Sequence, residues 1–336
     1  MAMPKPAPLA GAKLVTIFGG SGFVGRYIVR RMAREGWRVR VACRRPNEAL
    51  PVKVYGVVGQ IEPVFCNIRD DASVAAALRG ADAAVNCVGI LAESGKSTFD
   101  AIQAEGAGRV ARLAAAEGCR SLVQISAIGA DADSESAYGR TKAEGENAVR
   151  AHFPDAVILR PSIVFGPEDE FFNRFAGMTR FGPALPVVGA DTRFQPVYVD
   201  DVAAAAVKAI RGEARPGVYE LGGPEVRTFR ELMEDMLGTI RRKRLVLNLP
   251  FGIANLLASV TGLAHRATFG LAPQPITRDQ VANLRRDNVV SEDAMGFADL
   301  GIAPTAMETV LPGYLWRFRK GGQYVEIQDS AKRLRS

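Results

Sequence analysis

Gly19-Gly20-Ser21-Gly22-Phe23-Val24-Gly25 is the part of this 336-residue chain whose residue types and spacing point most directly to chemistry. It reads G-x-x-G-x-x-G between an apolar run, Leu14 to Phe18, and a helical pattern carried by Phe23, Val24, Tyr27, Ile28 and Met32. Glycine at 19 permits a tight turn, at 22 it lets the backbone approach a pyrophosphate, and at 25 it lets helix pack closely on strand. Exposed amides and a helix N-terminus then favour anionic phosphates. In a strand–turn–helix setting this pattern predicts dinucleotide binding, the alternative being a purely structural turn. The second strand bears on which dinucleotide. It ends Ala42-Cys43-Arg44-Arg45, without the carboxylate that an NAD site sets against the ribose hydroxyls. Two guanidiniums suit the 2′-phosphate of NADPH, and a solvated basic turn is the competing reading.

The elements that must position this loop follow from hydrophobic patterning. Further strands are predicted at 38–43, 63–66, 83–87, 121–125 and 156–159, with helices near 71–79, 98–117 and 136–151. Strand and helix alternate through short connections, which implies a parallel sheet covered on both faces and a ligand at the carboxyl ends of its strands. The predicted class is α/β, a Rossmann-type doubly wound parallel sheet with a smaller C-terminal α/β subdomain. The dinucleotide-binding domain is placed at 13–165, with contributions from about 190–225. The C-terminal interaction or substrate-like subdomain is placed at 166–336. Asp201 is expected to cap a helix over 202–210, with Asp200 at a strand end. Thr228 with Glu231 is expected to form a capping box for a helix over 229–237.

Composition excludes other classes. With 48% hydrophobic and 24% charged residues the chain is neither disordered nor low-complexity. Cys43, Cys66, Cys87 and Cys119 form no CxxC pair and read as buried, reduced thiols. Two histidines are too few for most metal sites, so no metal is expected. The segment from Met1 to Ala12 lacks a secretory core or an Arg-rich leader, and no run of strongly apolar residues is long enough for a clear membrane span. The net charge of +7 is uneven: residues 241–336 hold 14 Lys/Arg against 8 Asp/Glu, whereas residues 1–240 are nearly balanced. Such a basic surface serves nucleic acid, an anionic membrane or an acidic partner. No nucleic-acid-binding signature accompanies it, so nucleic acid is not expected.

Several further pieces occur in one order: Asn67-Ile-Arg-Asp70, Asn86-Cys-Val-Gly89, Ser126, Tyr138-Gly-Arg-Thr-Lys142, Arg160-Pro-Ser-Ile-Val-Phe-Gly166 and Gln195-Pro-Val-Tyr-Val-Asp-Asp201. With the glycine loop they make the chain similar to the extended and atypical short-chain dehydrogenase/reductase superfamily. The resemblance implies a cofactor surface of Gly19, Gly20, Ser21, Gly22, Phe23, Val24 and Gly25, then Arg44, Arg45, Asn67 and Ile68. It continues through Cys87, Val88, Gly89, Ser126, Tyr138, Lys142, Pro161 and Ile163. In that family a Tyr-x-x-x-Lys pair does acid–base chemistry, here Tyr138 and Lys142 on one helix face. The rest of the pattern is incomplete. The positions that most often carry the catalytic hydroxyl are Ala127 and Ile128, the family's helix Asn is Gln103, and its adenine-binding Asp is Asn67. Tyr138 and Lys142 are therefore expected to hold the cofactor rather than turn it over.

The C-terminal third narrows the resemblance. Pro275-Ile-Thr-Arg-Asp-Gln-Val-Ala-Asn-Leu-Arg-Arg-Asp-Asn-Val-Val290, Leu300-Gly-Ile-Ala-Pro-Thr305 and Leu311-Pro-Gly-Tyr314 resemble the nucleotide-binding accessory subunits of respiratory complex I, the alpha-subcomplex subunit nine family. That implies bound NADPH without turnover and complex I subunits as partners near the junction of the peripheral and membrane arms. The missing leader and Ala/Arg-rich composition point to a bacterial version on the cytoplasmic face of the inner membrane. The alternative is a free-standing NADPH-dependent reductase or epimerase of a small carbonyl or sugar-nucleotide substrate, using Tyr138 and Lys142. From the residues themselves, Arg241-Arg-Lys-Arg244 precedes an uncharged stretch whose Ile253, Leu256, Leu257, Val260 and Leu263 fall on one helical face. An anionic membrane surface suits that combination, and an ordinary helix packed on its own core is the alternative.

Overall fold

The computed structural model describes residues 11–268 and 276–324 and divides into two compact units. Pro275 and the first ten residues lie outside the described residues. The first unit holds the chain up to Pro161, Val199–Leu221 and Val290–Ala303. The second holds Ser162–Tyr198, Gly222–Val289 and the chain from Pro304.

The first unit is built on seven strands: β1 (Leu14–Phe18), β2 (Arg38–Cys43), β3 (Ile61–Phe65), β4 (Ala83–Asn86), β5 (Ser121–Ile125), β6 (Val157–Pro161) and, late in the chain, β11 (Gly217–Leu221). All are parallel, in the order β11-β6-β5-β4-β1-β2-β3. Every residue of β1 and β4 is buried, as central strands of a sheet covered on both faces require. The order reverses between β1 and β4, which is where such sheets bind ligands. Helices α1 (Phe23–Arg34), α2 (Asp71–Leu78), α3 (Glu105–Ala116), α4 (Ala137–His152) and α6 (Val199–Ile210) supply the connections. A single π-helical turn, Asp100–Ala104, leads into α3. Asp70 caps α2, accepting from the Ser73 amide, and Ser136 caps α4, accepting from the Gly139 amide.

One sequence expectation fails here. α6 begins at Val199, so Asp200 and Asp201 both lie in its first turn; Asp201 is not the N-cap and Asp200 is not at a strand end. The polar Asp pair reads as a helix start, but Val199 is already helical and fully buried. Asp200 instead receives Arg31 in a bidentate pair at 2.8 and 2.9 Å and Arg30 at 3.0 Å. Residues 290–303 have no regular element, yet they cover the edge strand β11. The Ser291 amide donates to the Glu220 carboxylate, and the Glu220 amide to the Met295 carbonyl, both at 2.8 Å. Covering an exposed sheet edge in this way blocks non-native pairing.

The second unit contains α5 (Phe172–Met178), α7 (Phe229–Thr239), α8 (Phe251–Ala267), α9 (Arg278–Asn283) and α10 (Met307–Leu315). Three two-stranded pieces accompany them: β7 (Val164–Phe165) with β10 (Val197–Tyr198), β9 (Arg193–Phe194) with β12 (Arg227–Thr228), and β8 (Ala184–Val188) with β13 (Leu245–Leu249). Its core joins Phe165, Phe172, Leu185, Phe229, Met233 and Leu315. Thr228 and Glu231 form the expected capping box of α7.

Candidate dinucleotide site of the first unit

The turn between β1 and α1 needs its glycines for two separate reasons. Gly19 has φ +72, a left-handed conformation that side chains disfavour. Its amide donates to the Ala42 carbonyl at 2.9 Å, which sets the turn beside the end of β2. A Cβ on Gly25 would stand 2.3 Å from the Gly19 carbonyl oxygen and 2.7 Å from the Gly20 Cα, so α1 packs directly on the loop. Gly22 is the N-cap of α1 and provides no side-chain cap for its first amides. The close packing sets the N-terminus of α1, with no side-chain cap, against the glycine turn, where backbone amides suit an anionic pyrophosphate.

Two and three residues beyond Ala42, Arg44 and Arg45 are both exposed. Arg45 donates to Glu48 at 2.9 Å, an exposed pair that a phosphate can displace. The Asn67 side-chain oxygen accepts from the Arg69 amide at 3.2 Å. Ile68 is buried in the core, and its carbonyl accepts from Arg109 at 3.0 Å. The Cys87 amide donates to the Phe18 carbonyl at 2.9 Å and the Val88 amide to the Asn86 side chain at 3.1 Å. A Cβ on Gly19 would stand 3.3 Å from Cys87 and Val88, which ties the glycine turn to the end of β4.

Tyr138, Lys142 and Glu146 follow one another at i, i+4 spacing on α4. The Lys142 ammonium donates to the Ile125 carbonyl at 3.3 Å and lies 3.4 Å from where a Gly89 Cβ would stand. It also lies 5.8 Å from the centre of the Tyr138 ring, and Phe99 meets that ring edge to face. Burial brings the Lys142 pKa down to about 8, against the opposing pull of Glu146 and Cys87. Burial pushes the Cys87 thiol up to about 12 despite the nearby Lys142.

Ser126 is turned toward a different partner. Its amide donates to Leu159 at 2.7 Å, and its hydroxyl donates to the buried Glu146 carboxylate at 2.5 Å. Arg160 grips the same carboxylate through Nε at 2.9 Å and Nη2 at 2.7 Å. Glu220 stands 3.5 Å from Arg160 on its other side. The Ser126 hydroxyl is therefore committed to a buried ion-pair network. Glu146 and Arg160 join the expected site residues here, and the 138/142/146 spacing on α4 is the sequence signal for the first of them. Ile128 and Pro161 meet through an Ile128 amide bond to the Pro161 carbonyl at 3.0 Å. Ile163 falls in the second unit, where its carbonyl accepts from Val197 at 2.9 Å.

A parallel doubly wound sheet, a glycine turn at its switch point and a Tyr-x-x-x-Lys helix face define a dinucleotide-binding protein of the short-chain dehydrogenase/reductase type. Residues 15–222 match the NAD dependent epimerase/dehydratase family. The chain belongs to that family, and it is homologous to a complex I subunit along nearly its full length. "NADH dehydrogenase [ubiquinone] 1 alpha subcomplex subunit 9, mitochondrial" of Arabidopsis thaliana is 35% identical over 316 residues, covering 92% of this chain and 79% of that protein. "Ceramide reductase" of Caulobacter vibrioides is 31% identical over 241 residues, covering 70% of this chain and 74% of that protein. The dTDP-glucose 4,6-dehydratase DesIV of Streptomyces venezuelae, solved with NAD bound, shares the fold. Its TM-score is 0.68 at 21% identity, over 94% of this chain and 98% of that one.

Proposed function

We propose that the chain is an NADPH-binding accessory subunit of membrane-bound respiratory complex I, holding its cofactor without turnover of its own. The observation that carries this reading is that similarity to a complex I subunit covers 92% of the chain and so runs through both units. The site supports it: the phosphate cradle is whole, while the Ser126 proton is given to Glu146. NADPH rather than NADH is favoured by exposed Arg44 and Arg45 at the end of a β2 that carries no carboxylate. When bound, the cofactor supplies a nicotinamide, a pyrophosphate and a 2′-phosphate. Gly19 to Gly25 would hold the pyrophosphate, Arg44 and Arg45 the 2′-phosphate, and Lys142 with Tyr138 the nicotinamide end.

The reading places the protein peripherally on the cytoplasmic face of a bacterial inner membrane, beside complex I subunits at the junction of its two arms. An anionic membrane surface would be met through Arg241–Arg244 and the 253–263 helix. No described helix is long and apolar enough to cross a membrane.

A second reading is favoured by one specific observation, the similarity to the Caulobacter protein named as a ceramide reductase. On it the chain is a free-standing NADPH-dependent reductase or epimerase, its carbonyl substrate protonated by Tyr138 with Lys142 beside it. Native sizing of membranes solubilised in mild detergent separates the two. The first reading predicts co-elution with a complex far larger than 36.0 kDa. Elution alone, with NADPH oxidation on adding a carbonyl substrate, supports the second.

A further inference from the structure

Helix α8 packs the wrong way round for an ordinary surface helix. Ala254 and Ala258 are buried, joining Val188 and Val281 in a small core. Ile253, Leu256, Leu257, Val260 and Leu263 are instead 42–71% exposed. A surface helix normally turns its large aliphatics inward and its polar face outward. Here the small residues make the contact and the large ones face away. Just before the helix, β13 repeats the arrangement at strand period: Val246 is buried, while Leu245 and Leu247 are exposed.

The charges that precede and run along this helix in sequence have one sign, the first acidic residue after them being Asp279 of α9. Residues 241–278 contain six Lys/Arg and no Asp/Glu. The tetrabasic run is divided. Arg242 and Arg244 donate to the Thr179 carbonyl at 3.4 and 3.0 Å, and Arg242 also to that of Phe318 at 2.9 Å, whereas Arg241 and Lys243 are exposed. Two more cations are held against the helix. Arg278 donates to the Ser259 hydroxyl at 2.7 Å, and the Arg285 guanidinium lies 5.6 Å from the centre of the Phe251 ring.

We propose that the outer face of α8 is a lipid-inserting surface that enters the boundary between headgroups and acyl chains of an anionic monolayer. The inference deepens the peripheral attachment in the proposed function and rests on that reading. The helix lies parallel to the membrane with its aliphatics down and the basic residues at headgroup level. The composition of the face decides for lipid over protein. It is wholly aliphatic, whereas protein interfaces concentrate Tyr, Trp, Met and Arg at their centres. A flank with an excess of cations complements anionic headgroups.

The test is flotation of the full chain with phosphatidylglycerol-containing vesicles and with phosphatidylcholine vesicles, comparing wild type with Leu256→Asp/Val260→Asp. Both positions are exposed, so the double variant should fold, and its thermal melt checks this. We expect wild type to float with the anionic vesicles and the variant to partition about tenfold or more weakly. High salt should reduce wild-type binding without abolishing it, because only the charge contribution is screened. Equal partition of the two proteins, or no wild-type binding at low salt, overturns the proposal. So does a wild-type dimer that the variant converts to monomer without any vesicle binding, which would mean a second copy covers the face. Co-elution with the large complex is read separately on wild type. Its loss with flotation intact refutes the complex I reading alone, and its retention without flotation refutes lipid insertion alone.

Discussion

Ser126 donates its hydroxyl proton to Glu146 at 2.5 Å, and Arg160 closes on the same carboxylate from the other side. A hydroxyl that polarises a substrate carbonyl must donate to it, and this one is already donating. Ser126→Ala should therefore leave nucleotide affinity and any residual NADPH oxidation unchanged, at a stability cost of about 1 kcal/mol. Glu146→Ala should cost more, about 2–3 kcal/mol, because it removes a bidentate partner of Arg160, which keeps only Glu220 at 3.5 Å, and leaves the Ser126 hydroxyl without its acceptor. Denaturant melts of both variants check the difference.

Exposed Arg44 and Arg45 carry the choice of dinucleotide in this account. Replacing both by Ala should weaken NADPH about ten- to a hundredfold, the worth of one or two charge-assisted hydrogen bonds, and leave NADH nearly unaffected. Glu48→Ala frees Arg45 from its 2.9 Å partner and should tighten NADPH slightly. Fluorescence titration with both nucleotides gives the comparison; parallel losses would remove Arg44 and Arg45 from the 2′-phosphate site.

Gly25→Ala places a methyl 2.3 Å from the Gly19 carbonyl, a backbone atom that cannot swing aside. The variant should lose dinucleotide binding and about 1–3 kcal/mol of stability. Calorimetric titration and a thermal melt read the two effects independently.

Lys142 carries a pH signature. Its folded pKa of about 8 lies below its ordinary 10.5, so in that interval the unfolded chain binds more protons and stability rises with pH. Cys66, Cys87 and Cys119 are raised from 9.0 and act oppositely around that value. Between pH 8 and 9 the Lys142 contribution grows by about 1 kcal/mol, and the thiols, which begin to ionise in the unfolded chain there, offset it by a similar amount. Chemical denaturation across this window should therefore show wild type gaining about 1 kcal/mol relative to Lys142→Met, in which only the fall from the thiols remains. The same slope in both would mean that Lys142 is not desolvated.

The first unit was legible because its strands are short apolar runs separated by helical periodicity, and the glycine turn sits where that alternation requires. Less legible were contacts made by irregular backbone. Nothing periodic in 290–303 announces that Ser291 and Met295 complete the edge of β11. The diversion of Ser126 depended on Glu146, which local spacing places on the same face as Lys142 without saying which groups it will meet. For α8, periodicity alone identified the aliphatic stripe but not its direction. Ala254 and Ala258 also lie at i, i+4, and the choice between the two faces is made by what packs against them. The basic run read as one patch, yet half of it ties down main-chain carbonyls.

In the proposed role the chain keeps NADPH as part of a large respiratory complex without spending it. Its most direct test is nucleotide analysis of that complex, isolated from membranes in mild detergent, before and after challenge with carbonyl substrates. The expected result is about one NADPH per copy of this chain, unoxidised after the challenge and absent from complexes carrying Gly25→Ala. A chain that elutes alone, exchanges its nucleotide freely and oxidises NADPH on adding a carbonyl compound would contradict it.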